Sequence, residues 1–304
     1  MIHIVPAAPP QAVPIDSGFD YVAADSPRRR VYAAHTGSDD LLIVDSDSGK
    51  VLGQVSVGPM QGVAVDPASG RVFTGDGIQR TVSEVDPTTK KVLRSVAVPG
   101  NVDAVAYDPA NGRIYADEDD GTRIFVIDAK TMKHVATVAI PGHKPEYLAI
   151  DPETHDVYQN IDRLHEVAVV DGATLKVKRI LPTPELRFNH PLVYDATYRH
   201  IIAGGLNGVL ASYDRSGKVL GTAKVGKRMD QCDLDRAHHR LACAGDGQVT
   251  VVDEAADGKL TVSASLPVPS DVHTLAFDQN TGRVWIVWAE PKGDFVQQLR
   301  LDSE

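Results

Sequence analysis

The sequence predicts an all-β fold, a seven-bladed β-propeller with four-stranded blades. Three observations carry it: a motif that recurs in seven units, short apolar runs divided by turn residues within each unit, and a last unit one strand short. The motif is clearest where GPMQGVAVDPASGRVFTG, Gly58 to Gly75, returns 42 residues later as GNVDAVAYDPANGRIYAD, Gly100 to Asp117. An aspartate closes a short apolar run at Asp25, Asp66, Asp108, Asp151, Asp195, Asp235 and Asp278, at spacings of 40 to 44 residues. A second aspartate closes another run in each unit, at Asp45, Asp86, Asp128, Asp171, Asp214, Asp253 and Asp302.

Each unit reads as four strands, taken here from the second. GVAVD (62–66) is the first strand, RVFTG (71–75) the second, TVSEVD (81–86) the third and VLRSVAV (92–98) the fourth. The runs are rich in β-branched and aromatic residues, Pro, Gly and Asn mark the turns, and no helical period of useful length intervenes. Two residues before the first aspartate stands an alanine in five units, Ala23, Ala64, Ala106, Ala149 and Ala276. Such a small column suits the innermost strand, where blades converge on an axis. The last unit stops after HTLAFD, RVWIVWA and FVQQLRLD, so its missing outer strand is expected from MIHIV at the other end, closing the ring of one domain over residues 1–304.

Units such as GRVFTG…TVSEVDPTTKKVLRSVAV and GRIYAD…RIFVIDAKTMKHVATVAI resemble YVTN-type β-propeller repeats over essentially the whole chain. The literal YVTN tetrapeptide is absent, with VYAAH, VFTGD and IYADE in its place. The resemblance implies the fold and, because members are often exported, a periplasmic or secreted setting; it implies no particular activity.

Composition narrows the classes. A net charge of -10 and a pI near 5.5 make the electrostatic term for nucleic acid repulsive, so nucleic acid is not an expected partner. No window approaches the roughly 20 apolar residues of a membrane span. The N-terminal stretch MIHIVPAAPPQAVPID has neither the basic nor the apolar region of a signal peptide. Gly-rich phosphate loops and the nucleophile elbow of hydrolases are absent too. Cys232 and Cys243 flank the turn DRAHHR as cross-strand neighbours and are expected to be two buried thiols, a disulfide being the alternative.

The strongest functional signal lies five residues before the first aspartate column, where the chain enters each innermost strand. The residues there are Asp20, Gln61, Asp103, Glu146, His190, Asp230 and His273. A wide water-filled channel explains a polar lining, but four carboxylates and two imidazoles in one narrow space raise pKa values or demand a cation. Neighbouring blades set His190, Asp230 and His273 side by side, with Asp20 next across the closure, and such residues form common shells for a divalent metal ion: Zn, Mn, Fe or Ni, with Ca the oxygen-rich case. Asp103 and Glu146 across the ring would then act as general base or acid. A small-molecule ligand in the central channel would meet Gln61 in the ring and His143, Lys144, Arg187 and Arg228 in the loops above it, with Trp288 on the same face.

In the position of this site the chain also resembles the gluconolactonase group and the streptogramin lyases, propellers with a metal at or near the channel mouth. That likeness implies hydrolysis of a lactone or ester-like bond, or a lyase reaction, although the glycine-and-tryptophan motif around the first calcium-binding glutamate of the lactonases is missing. The alternative is a non-catalytic propeller that binds a ligand or a protein partner over a solvated acidic channel. Asp233 breaks the small column in the sixth unit and is expected either to support the ring or to pair with Arg236, His238 or His239.

Overall fold

The aspartate columns are turn residues before they are anything else. In the computed structural model, which describes residues 2–13 and 18–303, Asp66 Oδ1 accepts the backbone N–H of Ala68, Asp108 Oδ1 that of Ala110, and Asp195 Oδ1 those of Thr197 and Tyr198. The second column does the same at the next hairpin, where Asp86 accepts from Thr88 and Thr89 and Asp171 from Ala173 and Thr174. A short side chain that hydrogen-bonds its own backbone two and three residues on ends a strand and starts a turn. Recurrence of aspartate therefore marks where strands stop.

Between the turns the strands form seven antiparallel sheets. Blade one runs Val22–Asp25, Arg30–His35, Asp40–Asp45 and Val51–Ser56; blade two Met60–Val65, Val72–Asp76, Thr81–Asp86 and Lys91–Ala97. Blades three to six open with Val102–Asp108, Pro145–Ile150, Asn189–Asp195 and Cys232–Asp235 and close with Lys133–Ala139, Lys176–Pro182, Val219–Lys224 and Leu260–Pro267. Second and third strands are buried on both sides, as in Tyr115, Phe125 and Val126, whereas the outermost strand alternates toward solvent. Cores lie between blades: Phe73 and Val82 of blade two pack with Ile114, Phe125 and Ile127 of blade three.

The seam is closed as expected, and by more than expected. Leu275–Asp278, Arg283–Glu290 and Gly293–Ser303 are the inner three strands of blade seven, and Ile2–Pro6 pairs with the last of them, Ile2 opposite Ser303 and Pro6 opposite Leu299. A second short segment, Gln11–Val13, pairs with the same long strand from Val296 to Asp294. Met1 lies outside the described residues. Ile4 and Val13 bury their side chains on either flank of the seam.

Cys232 and Cys243 are not free thiols. They face each other in register with Cα atoms 4.1 Å apart and are joined by a disulfide, because the two Cβ vectors of this directly opposed pair point to the same side of the sheet.

Candidate functional site

Two backbone devices bring the ring together. In blades two to five the innermost strand carries an irregularity next to its ring residue, with register shifts between Met60 and Val63, Val102 and Val105, Glu146 and Leu148, and Asn189 and Leu192. Tyr147 sits in the third of these with φ 64°, a left-handed conformation that a bulky residue adopts only under constraint. Bulges re-aim side chains, and these tip Gln61, Asp103, Glu146 and His190 toward the axis. In blades six, seven and one the strand starts later, so Asp230, His273 and Asp20 stand on irregular backbone just before it. Backbone bonds still tie these segments across blades: the Tyr21 N–H donates to Gln61 O (3.4 Å) and the Gln231 N–H to His273 O (3.0 Å).

His190 is the hub. Its Nε2 lies 2.7 Å from Asp230 Oδ1 and 3.4 Å from Glu146 Oε2, and its Nδ1 lies 4.0 Å from Asp162 Oδ2. Although burial opposes charging, the contacts to Asp230 and Glu146 lift the imidazole to about 9. Burial also opposes the charge of Asp230, but the hydrogen bond to His190 and the charges of His190 and His273 hold its carboxyl below its usual range. His273 reaches Asp230 at 3.8 Å, but its Nδ1 is 2.6 Å from Asp271 O and its Nε2 3.2 Å from Phe19 O. Carbonyl oxygens only accept, so these two contacts suit the protonated ring, whose nitrogens both donate. Burial opposes that charge, but Asp230 and the Asp271 carbonyl outweigh it and raise the pKa.

The carboxylates exceed these cations. Asp20 is pushed up to about 8 by desolvation and by the Asp230 charge. Asp103 is pushed well above its ordinary value by burial and by Asp117, and Glu146 is raised by burial despite the Lys144 ammonium 2.9 Å away. Asp117 itself lies behind the ring, buried, accepting from the Ala104 N–H at 2.6 Å and Gln159 Nε2 at 3.0 Å.

Of the residues singled out from the sequence, Asp20, Asp103, Glu146, His190, Asp230 and His273 thus form one electrostatic unit, with Lys144 paired to it and Gln61 half-buried at its edge. Others stand elsewhere. The Arg187 guanidinium donates to Pro184 O and Leu186 O in its own loop, because that loop presents its carbonyls to it. Arg228 pairs with Asp246 at 2.9 Å, and His143 is exposed, 3.4 Å from Asp120 O. Trp288 is buried in the core between blades six and seven, stacked on Phe295 with centroids 5.2 Å apart, since its strand is covered on both faces.

Among the described residues, the side chains whose ligand atoms all lie within 4.8 Å of one another are Glu146, Asp162 and His190. Oxygen and imidazole donors of this kind suit a divalent cation. Asp162 escaped the sequence reading because it comes from the short 3-10 turn Asp162–Leu164, outside the counted column. Asp117 stands at the end of a second strand, one of the loop positions that open on the same face as the ring.

One residue below the ring two aromatic rings lie in the channel. Tyr21 and Tyr147, directly after Asp20 and Glu146, meet across the axis with ring centroids 5.1 Å apart. Gln231, directly after Asp230, completes the wall: its Oε1 accepts from the Val22 N–H at 3.2 Å, the Leu275 N–H at 3.3 Å and the Thr274 hydroxyl, and its Nε2 donates to Val22 O at 2.9 Å. Tyr147 feels Asp233 from one side and Asp230 and Asp20 from the other.

Fold and site together define a seven-bladed propeller with an acidic well at one mouth of its channel. No known protein family matches the chain, and no curated protein matches its sequence. Among solved structures it is similar to hydrazine synthase of Kuenenia stuttgartiensis, at TM-score 0.81 and 16% identity over 93% of this chain and 96% of that one. U3-55K superposes at TM-score 0.82 and 11% identity, over 97% and 99% of the two chains. The WD40 repeats of RRP9 do so at TM-score 0.82 and 10% identity, over 97% and 100%. At such identities the likeness is one of fold.

Proposed function

We propose that the protein is a non-catalytic binding propeller whose acidic well receives a cationic group from a ligand or a protein partner. The observation that carries this reading is the shortage of counterions: Asp20 holds its proton up to about 8 although His190 and His273 stand nearby. An ammonium or guanidinium entering the well would supply what the protein lacks, and its release of the Asp20 proton would accompany binding. Tyr21 and Tyr147 lie beneath the well, so a side chain or small group that enters it meets their rings. The WD40 repeats among the similar structures fit a protein partner, and the disulfide fits a periplasmic or secreted setting.

A second reading rests on the convergence of Glu146, Asp162 and His190. A divalent metal ion held there would supply Lewis acidity toward a lactone, ester or lyase substrate, with Asp103 at hand to move a proton. It requires His190 to give up its proton and the Lys144 ammonium to share Glu146 with the ion, which favours the first reading.

Thermal stability separates the two. Between pH 4 and pH 8 the native Asp20 carboxyl keeps a proton that the unfolded chain, with its ordinary value of 3.8, has lost. Stability from this group is therefore full in acid and falls as pH rises through that window; His190, raised from 6.5 to about 9, adds the same sign at the upper end. We expect a higher Tm at pH 5 than at pH 8, a smaller difference in Asp20→Asn, no effect of chelator, and a rise in Tm at pH 8 with pentalysine but not pentaglutamate. A loss of Tm with chelator, restored by Zn or Mn, would transfer the conclusion to the metal reading.

A further inference from the structure

Below the tyrosine septum the channel widens into a cavity of about 530 Å³. Its walls are the small and apolar faces of the innermost strands, among them Ala23, Ala64, Val105 and Leu148; Tyr21 and Tyr147 are its ceiling, and Phe277 lies at its side. No ring residue lines it. A recess of about 270 Å³ toward blades four and five shares Tyr147, Leu148, Asp233 and Arg236 with it.

Asp233 is the carboxylate in this apolar wall, at the place where five other blades carry alanine. It neither supports the ring nor pairs with the neighbouring histidines: His238 binds Asp235 at 2.7 Å and His239 binds Asp195 at 2.5 Å. Its oxygens accept the Phe277 N–H and the Leu234 N–H, each at 2.8 Å. Among the described residues no cation stands within ion-pair distance of it; Arg236, exposed at the rim, acts only at longer range. Desolvation consequently raises its pKa. A carboxylate with no cation in ion-pair contact, facing a cavity with three aromatic rings, has the elements of an ammonium site, where charge pairing and ring faces act together.

We propose that the lower cavity is a second binding site, for a small organic ammonium with a flat apolar body, the ammonium paired with Asp233 and the body packed beneath Tyr21, Tyr147 and beside Phe277. This site lies on the far side of the septum from the acidic well.

The test is calorimetric titration with tryptamine and with indole-3-propionate, which share a ring and differ in the sign of charge. Tryptamine is expected to bind at least tenfold more tightly than the propionate. Asp233→Asn should weaken tryptamine at least tenfold, and Ala64→Leu, which fills the cavity without touching a charge, should abolish binding in a protein of unchanged circular dichroism. Tighter binding of the propionate, removed by Arg236→Ala, would overturn the proposal. So would no binding of tryptamine to the folded protein, insensitivity to Asp233→Asn, or a loss found with Asp230→Asn instead; the last would place the amine in the upper well.

Discussion

At the scale of single residues, Gly62 shows how closely the blades meet. It follows the ring residue Gln61, and a Cβ built on it would lie 2.4 Å from Asp103 O and 2.7 Å from Val105 N. Backbone cannot yield as a side-chain end can, so Gly62→Ala should cost about 1–3 kcal/mol as overpacking and lower the Tm by several degrees while leaving the β-sheet circular dichroism intact. A variant as stable as the parent would mean that blades two and three separate easily. The aspartate columns were legible for a related reason: each position is fixed by local hydrogen bonds within its own turn, so the sequence shows it without knowledge of the rest. The cysteine pair, Trp288, Arg187 and Arg228 were not, because what decides them is a neighbour far along the chain or the direction of a loop.

At the scale of elements, the seam gives the sharpest expectation. Removing residues 1–6 deletes the outer strand of blade seven, exposes the Leu299 to Ser303 edge and uncovers the core around Ile4. A loss of about 5–10 °C in Tm is expected by differential scanning calorimetry, given the roughly 2–4 °C per kcal/mol of a large domain. An unchanged Tm would mean that the seam is held by Gln11–Val13 and the blade interfaces. That second segment was invisible in the sequence, since three residues carry no readable alternation. The bulges beside Gln61, Asp103, Glu146 and His190 were likewise unreadable: one extra residue in a strand is defined by the partner it fails to pair with.

At the scale of the whole molecule, counting back from one column located six ionisable residues that do share a single field. Periodicity fixes position along a repeat, and in a ring of repeats equal positions become neighbours in space. It fixes neither the partners of those residues nor the plug beneath them. Tyr21 and Tyr147 carry no signal of their own in the repeat, and only the assembled ring brings them together.

That plug makes the molecule a small capacitor. Two phenol rings, too thin and too poorly polarisable to hide charge, separate the carboxylates of the upper well from Asp233 below. Positive charge delivered to either plate draws protons off the other. At pH 7, where Asp20 is still largely protonated, tryptamine binding beneath the septum should therefore expel a fractional proton above it, seen as a dependence of the apparent binding enthalpy on the ionisation enthalpy of the buffer. In Asp20→Asn that dependence should shrink; its persistence there would assign the proton to Asp233. The two sites on either side of the rings would then exchange a message carried by charge alone.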